Sequence, residues 1–131
     1  MKFSFASISI LVILLLSSNS FAQPTQKDLL AKKWKYIGVE EFSVVHPPDS
    51  SKKNDWIQFN ADGTYDWMQS GKKSSGSWKL NDAAKTISFT DSKTKKSFSY
   101  NLKNLTATDL TIEYQTPDLV RTRYRYVASG Q

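Results

Sequence analysis

The stretch IQFNADGTYDW, residues 57–67, decides how this chain folds, because the Asp62-Gly63 at its centre is either a site for chemistry or the hinge of a β-hairpin. Parity separates the two. A loop of two residues (Asp62-Gly63) or of four (60–63) would put Ile57 and Phe59 on the same sheet face as Asp66 and send Tyr65 and Trp67 to the other. A loop of three, Ala61-Asp62-Gly63, with Gly63 in the left-handed region, gathers Ile57, Phe59, Tyr65 and Trp67 on one face. Only that register builds a core, and glycine suits the position because a side chain clashes at positive φ. A calcium loop beginning at Asn60 lacks the further carboxylates such a site requires.

The same period of two runs outward in both directions. Alternating segments at 34–45, 55–60, 64–68, 74–80, 86–90, 97–103, 110–114 and 121–127 are separated by turn residues about every ten positions, the pattern of an all-β meander. Trp78 and Leu80, Ile87 and Phe89, Phe98, Tyr100 and Leu102, then Leu110, Ile112 and Tyr114 each mark one apolar face, opposite Ser, Thr, Lys, Asp and Glu. Eight sequential antiparallel strands with short links remove their edges by curling into an up-and-down β-barrel, whose interior holds side chains or one small ligand. An open sandwich would show a long crossover, and the sequence has none. Residues 27–33 predict one or two helical turns, with Leu29 and Leu30 placed to plug an end.

Residues 1–22 read as a signal peptide: Lys2, an apolar run over 8–16 too short for a bilayer of ~30 Å, and small residues at Ser20 and Ala22 before the cut. The expected product is a soluble, exported domain over 23–131, periplasmic or secreted. With no cysteine, it has no disulfide, no thiolate chemistry and no lipid-modified cysteine as an anchor. Stability must come from burial, and the 14 aromatic residues left after the leader, each able to cover ~150–250 Å², suffice for one core. The leader's removal leaves 17 basic and 12 acidic residues, a net charge of +5.

Leu29-Leu30 followed by Trp34, then IQFNADGTY, then GSWKL at 76–80 and LKNLTATDLTIEY at 102–114, resemble the lipocalin-like domain of small secreted bacterial proteins, of the calycin type. The resemblance spans nearly the whole exported chain. It implies an eight-stranded barrel with an internal cavity, open at one mouth, that binds a small molecule without catalysis. In lipocalins proper a Gly-x-Trp opens the first strand and a last-strand arginine packs over the tryptophan. Here Trp34 matches, Lys32 stands in the glycine's place, and Arg121, Arg123 and Arg125 are the candidates for the arginine.

In an up-and-down barrel, alternate loops share a rim. The loops around Lys52 and Lys53, Lys72 and Lys73, Lys93, Lys95 and Lys96, and Asp118 lie together, with seven lysines against Asp49, Asp91 and Asp118, a net +4. The other rim holds Asp62, Asp82, Lys85 and Asp109, a net −2, with Lys32 and Lys33 nearby. The lysine rim (Lys52, Lys53, Lys72, Lys73, Lys95, Lys96) either draws an anionic head group or an anionic envelope surface to the mouth, or serves only solubility and protection of strand edges. Along 121–127 either arginine or tyrosine faces inward; tyrosine matches the aromatic faces of the other strands, and unpaired arginine is seldom buried.

The expected ligand contacts are Phe59, Tyr65, Trp67, Trp78, Phe89, Tyr100, Tyr114 and Tyr124, suited to an apolar or amphiphilic molecule; the same bulk could instead fill the barrel and leave an envelope or protein-interaction module. No cofactor or metal is called for. His46, the only histidine, reads as an exposed loop residue before Pro47-Pro48. Glu40 and Glu41 point to opposite faces, and Asp55 and Asp66 are placed on the outer face without a pocket, so no catalytic pair forms and a non-enzyme is expected. Nucleic acid is not expected either, since the aromatics face inward and the lysines sit in turns.

Overall fold

The structure, a computed structural model, describes residues 24–130; the expected signal peptide at 1–22 and the start of the exported domain at residue 23 lie outside the described residues. Thr25 opens α1 (Gln26–Leu30) with a capping box, its hydroxyl accepting from Asp28 N while the Asp28 carboxylate accepts from Thr25 N, both at 3.2 Å. The strands follow as β1 (Lys33–Glu41), β2 (Val44–His46), β3 (Trp56–Phe59), β4 (Thr64–Gln69), β5 (Lys72–Asn81), β6 (Thr86–Asp91), β7 (Ser97–Leu105), β8 (Asp109–Gln115) and β9 (Arg121–Ala128). From β3 on, each strand pairs antiparallel with the next, and β9 returns to β1, so that eight strands close a barrel. The short β2 lies outside that count, folded back on the second half of β1.

The hairpin at Gly63 has the predicted register. Ile57 pairs with Trp67 and Phe59 with Tyr65, and the loop is Ala61-Asp62-Gly63 with Gly63 at φ +91°. Asn60 N donates to Thr64 O at 2.8 Å and Gly63 N to Asn60 O at 3.1 Å. The Asp62 carboxylate accepts from Thr64 N and Thr64 Oγ1, which makes it part of the turn.

One predicted strand divides. The run 34–45 breaks at Phe42 and Ser43, which take φ of 50° and 63°, a two-residue turn of the mirror-image kind that reverses the chain between Glu41 and Val44. Gly38 prepares the break: β1 bulges against β9 between Tyr36 and Gly38, φ there is +136°, and a Cβ would lie 2.0 Å from His46 O. Only glycine permits that backbone to approach so closely.

Rings from β3, β4, β6 and β7 interlock inside. Phe89 is the hub, with ring centroids of Trp67 at 5.0 Å, Tyr65 at 5.1 Å, stacked Phe98 at 5.2 Å, Tyr100 at 5.8 Å and Phe59 at 5.9 Å. At one end Leu30 plugs the cylinder, as predicted; its carbonyl accepts from Trp34 Nε1 at 3.0 Å, and Trp78 Nε1 donates to Asn60 O at 3.0 Å. The lysine loops ring the other end.

Candidate functional site

Above the Phe89 hub the packing loosens toward the lysine rim. Tyr36 comes from β1, Tyr124 and Tyr126 from β9, and Asp55, Gln69 and Ser70 from the ends of β3 and β4; with Lys52 they line a cavity of about 270 Å³ at the mouth. Tyr36 meets Tyr126 at 5.4 Å and Tyr124 at 6.3 Å, and Tyr124 leans on Tyr100, whose ring lies tilted against Tyr114 at 5.3 Å. Tyrosine therefore faces inward on the last strand.

Burial pushes the Tyr36, Tyr100, Tyr124 and Tyr126 phenols above their ordinary range, most strongly for Tyr100 and Tyr126, so all four remain hydrogen-bond donors at neutral pH. Asp55 is buried beside them, and its two carboxylate oxygens accept from Ser70 N at 2.9 and 3.1 Å, tying the β4–β5 loop to the foot of β3. The mouth thus offers an aromatic wall, phenol donors, one carboxylate and one amine at the lip.

Of the eight expected ligand contacts, Tyr124 lines this cavity, and Tyr100 and Tyr114 pack behind it. Phe59, Tyr65, Trp67, Trp78 and Phe89 form the packed floor instead, because rings 5–6 Å apart leave no space between them. Lys52, Lys53, Lys72, Lys73, Lys95 and Lys96 are all exposed at the mouth end.

Sequence reasoning missed Tyr36, Gln69 and Ser70 and misplaced Asp55. Parity reveals two of these: Tyr36 is two positions from Trp34, and Asp55 two from Ile57, so both share the inner face. The outer face keeps Asp66, which accepts from Ser75 Oγ at 2.7 Å and lies 3.9 Å from Lys73.

The arginines point outward into an ion-pair cluster. Glu113, its side chain 3% exposed, accepts from Arg123 Nε at 2.9 Å and lies 3.7 Å from Lys103, while Glu40 meets Arg125 at 3.2 Å and Arg123 at 3.8 Å. Burial alone would raise the Glu113 carboxyl; the Arg123 hydrogen bond and the charges of Lys103, Arg123 and Arg121 outweigh it and hold the group below the usual range. Among the described residues no arginine covers Trp34. Lys32 does, its amine 5.3 Å from the ring and bonded to Ala107 O at 3.1 Å, so a residue before the first strand takes the place expected of one on the last.

A larger depression of about 450 Å³ lies open on the wall between β4, β5 and β6, where Tyr65 runs under Gly76. Tyr65 and the rim residue Lys95 touch it, but it lies on the open outer wall, whereas the mouth brings three tyrosines and the buried Asp55 together.

The sequence matches no protein-family model and no curated protein. Among solved structures the fold is similar to that of a DUF4847 family protein from Bacteroides vulgatus ATCC 8482, with a TM-score of 0.56 over 81% of this chain and 98% of that one, at 13% identity. At that identity the likeness concerns the fold alone.

Proposed function

We propose that this is an exported, non-enzymatic, lipocalin-like protein that binds a small amphiphile in the mouth of its barrel. The observation that carries the reading is the tyrosine-lined cavity of about 270 Å³ above a packed floor. Sites for drug-sized ligands run to about 300–1,000 Å³, so the apolar part of the ligand is limited to about one ring or a short chain. Its polar end lies at the lip, where the Lys52 amine suits an anionic group and the phenols suit a hydroxyl or carbonyl. The barrel likeness supports the fold half of this reading.

The test is gentle mass spectrometry of protein purified from its native compartment, with a retained small molecule expected. Tyr36→Trp, which fills the mouth, should abolish retention without unfolding the barrel. Equal retention in that variant would move the site elsewhere. The packed floor favours the second reading, a filled barrel acting as an envelope or protein-interaction module, and a chain that retains nothing would select it.

A further inference from the structure

We propose that the mouth end is a docking surface for an anionic lipid bilayer, with Phe42 and Leu119 as apolar anchors and the rim lysines as its electrostatic collar. Phe42 is 99% exposed, Leu119 73%, Val44 56% and Val120 54%. All four belong to two neighbouring features at the mouth, the β1–β2 hairpin and the β8–β9 loop, which flank the seam where β1 pairs with β9. Phe42 shares a surface groove with Arg121, two positions from Leu119, and with Arg123, Glu40, Glu41 and Glu113; Glu40 and Glu113 are paired with arginines there, and Glu41 lies 3.8 Å from His46.

The backbone makes these positions harder to explain by chance. Phe42 has φ 50° and Leu119 φ 68°, conformations in which glycine or asparagine is the favoured residue. Phe42 therefore stands fully in water and Leu119 largely so, each on a residue in the left-handed region and outside the core cluster. Strain of this kind, seen in a structure, motivates a functional hypothesis.

Charge identifies the partner. Going round the rim from the apolar seam, the β2–β3 connection, the start of β5 and the β6–β7 connection present Lys52, Lys53, Lys72, Lys73, Lys93, Lys95 and Lys96, all exposed. Only Lys73 makes an ion pair with a described residue, at 3.9 Å to Asp66. The rim aspartates are turned back into their own loops: Asp49 accepts from Ser51 N, Asp91 from Lys93 N and Thr94 N, and Asp118 from Thr116 Oγ1. Apolar anchors beside free lysines match the interface of an anionic membrane, whereas lysine is depleted from protein–protein interfaces. The barrel wall, with Lys35, Gln58, Ser75, Ser77, Lys79, Ser88 and Ser99 facing out, is too polar to enter lipid, so contact is confined to the rim.

Residues 23–131 contain every described strand and the helix that seals them, and they are the form to test by co-sedimentation with vesicles. Binding is expected to phosphatidylglycerol-rich vesicles, weakening with salt, and not to phosphatidylcholine alone. Phe42→Asn with Leu119→Asn should cut partitioning about tenfold or more with the melting temperature unchanged or raised, because asparagine tolerates the left-handed region. Lys72→Gln, Lys95→Gln and Lys96→Gln together should remove most of the salt dependence. No binding to anionic vesicles at low salt overturns the proposal, as does equal partitioning of the double asparagine variant. A parent dimer that this variant converts to monomer would also overturn it, assigning the anchors to a second copy. None of the five substituted residues lines the tyrosine cavity, so retention of a mouth ligand is unaffected by either result.

Discussion

At the end sealed by α1, turns are held by short polar side chains in the manner their sequences announce: Asp62 with Thr64, Asn81 with Ala84 N, and Thr106 with Asp109 N. Its left-handed residues are Gly63 and Lys85. The mouth end carries Phe42, Ser43, Ser70, Lys95 and Leu119 in that region, along with Gly71. Such positions cost a non-glycine residue about 1–2 kcal/mol each. The comparison teaches that the sealed end and the Phe89 hub supply stability, while the mouth holds strained backbone, unfilled space and exposed apolar groups that stability alone does not require.

The strongest way to break this division is Leu30→Ala. Removing the plug should cost about 2–5 kcal/mol in urea unfolding, whereas Tyr124→Phe at the mouth, which removes only a hydroxyl, should cost no more than about 1.5 kcal/mol. Equal losses would mean the two ends share the load. Gly63→Ala tests the sealed end's backbone alone, since no atom lies within 4 Å of the added Cβ; the expected loss is about 1–2 kcal/mol, read from the same unfolding curves. Phe42→Asn should act in the opposite direction and raise stability by about 0.5–1 kcal/mol, sharpening the contrast between an end optimised for folding and one that is not.

The smallest effects are those of pH. Because the folded protein holds Glu113 below the usual carboxylate range, its contribution is complete above the unfolded value of about 4.3 and is lost as pH falls through the folded one. Glu113→Gln should flatten that acid limb of a stability–pH curve, modestly, because Arg123 and Lys103 are partly solvated. The phenols run the other way. Tyr100 and Tyr126 are raised, so their contribution is intact below about pH 10 and is lost as pH climbs beyond it. A phenolate absorbance titration should show these two ionising only as the barrel opens.

Local chemistry alone determined much of this molecule. Gly63 set the register of Ile57 and Phe59 against Trp67 and Tyr65, alternation assigned the inner face of nearly every strand, and Leu30 was legible as a plug, because a period of two and a positive-φ glycine are properties of neighbouring residues. Asp55 and Tyr36 were legible by the same parity. The turn at Phe42-Ser43 carried no such signal, since neither residue favours φ > 0, and it exists because Gly38 lets the His46 backbone lie against β1. Only the closed tertiary structure decided that Lys32 rather than an arginine covers Trp34, that rings from four strands fill the floor, and that three tyrosines stop short of filling the mouth. How far side chains from distant strands reach into a common space depends on strand tilt and closure, and no run of adjacent residues encodes that.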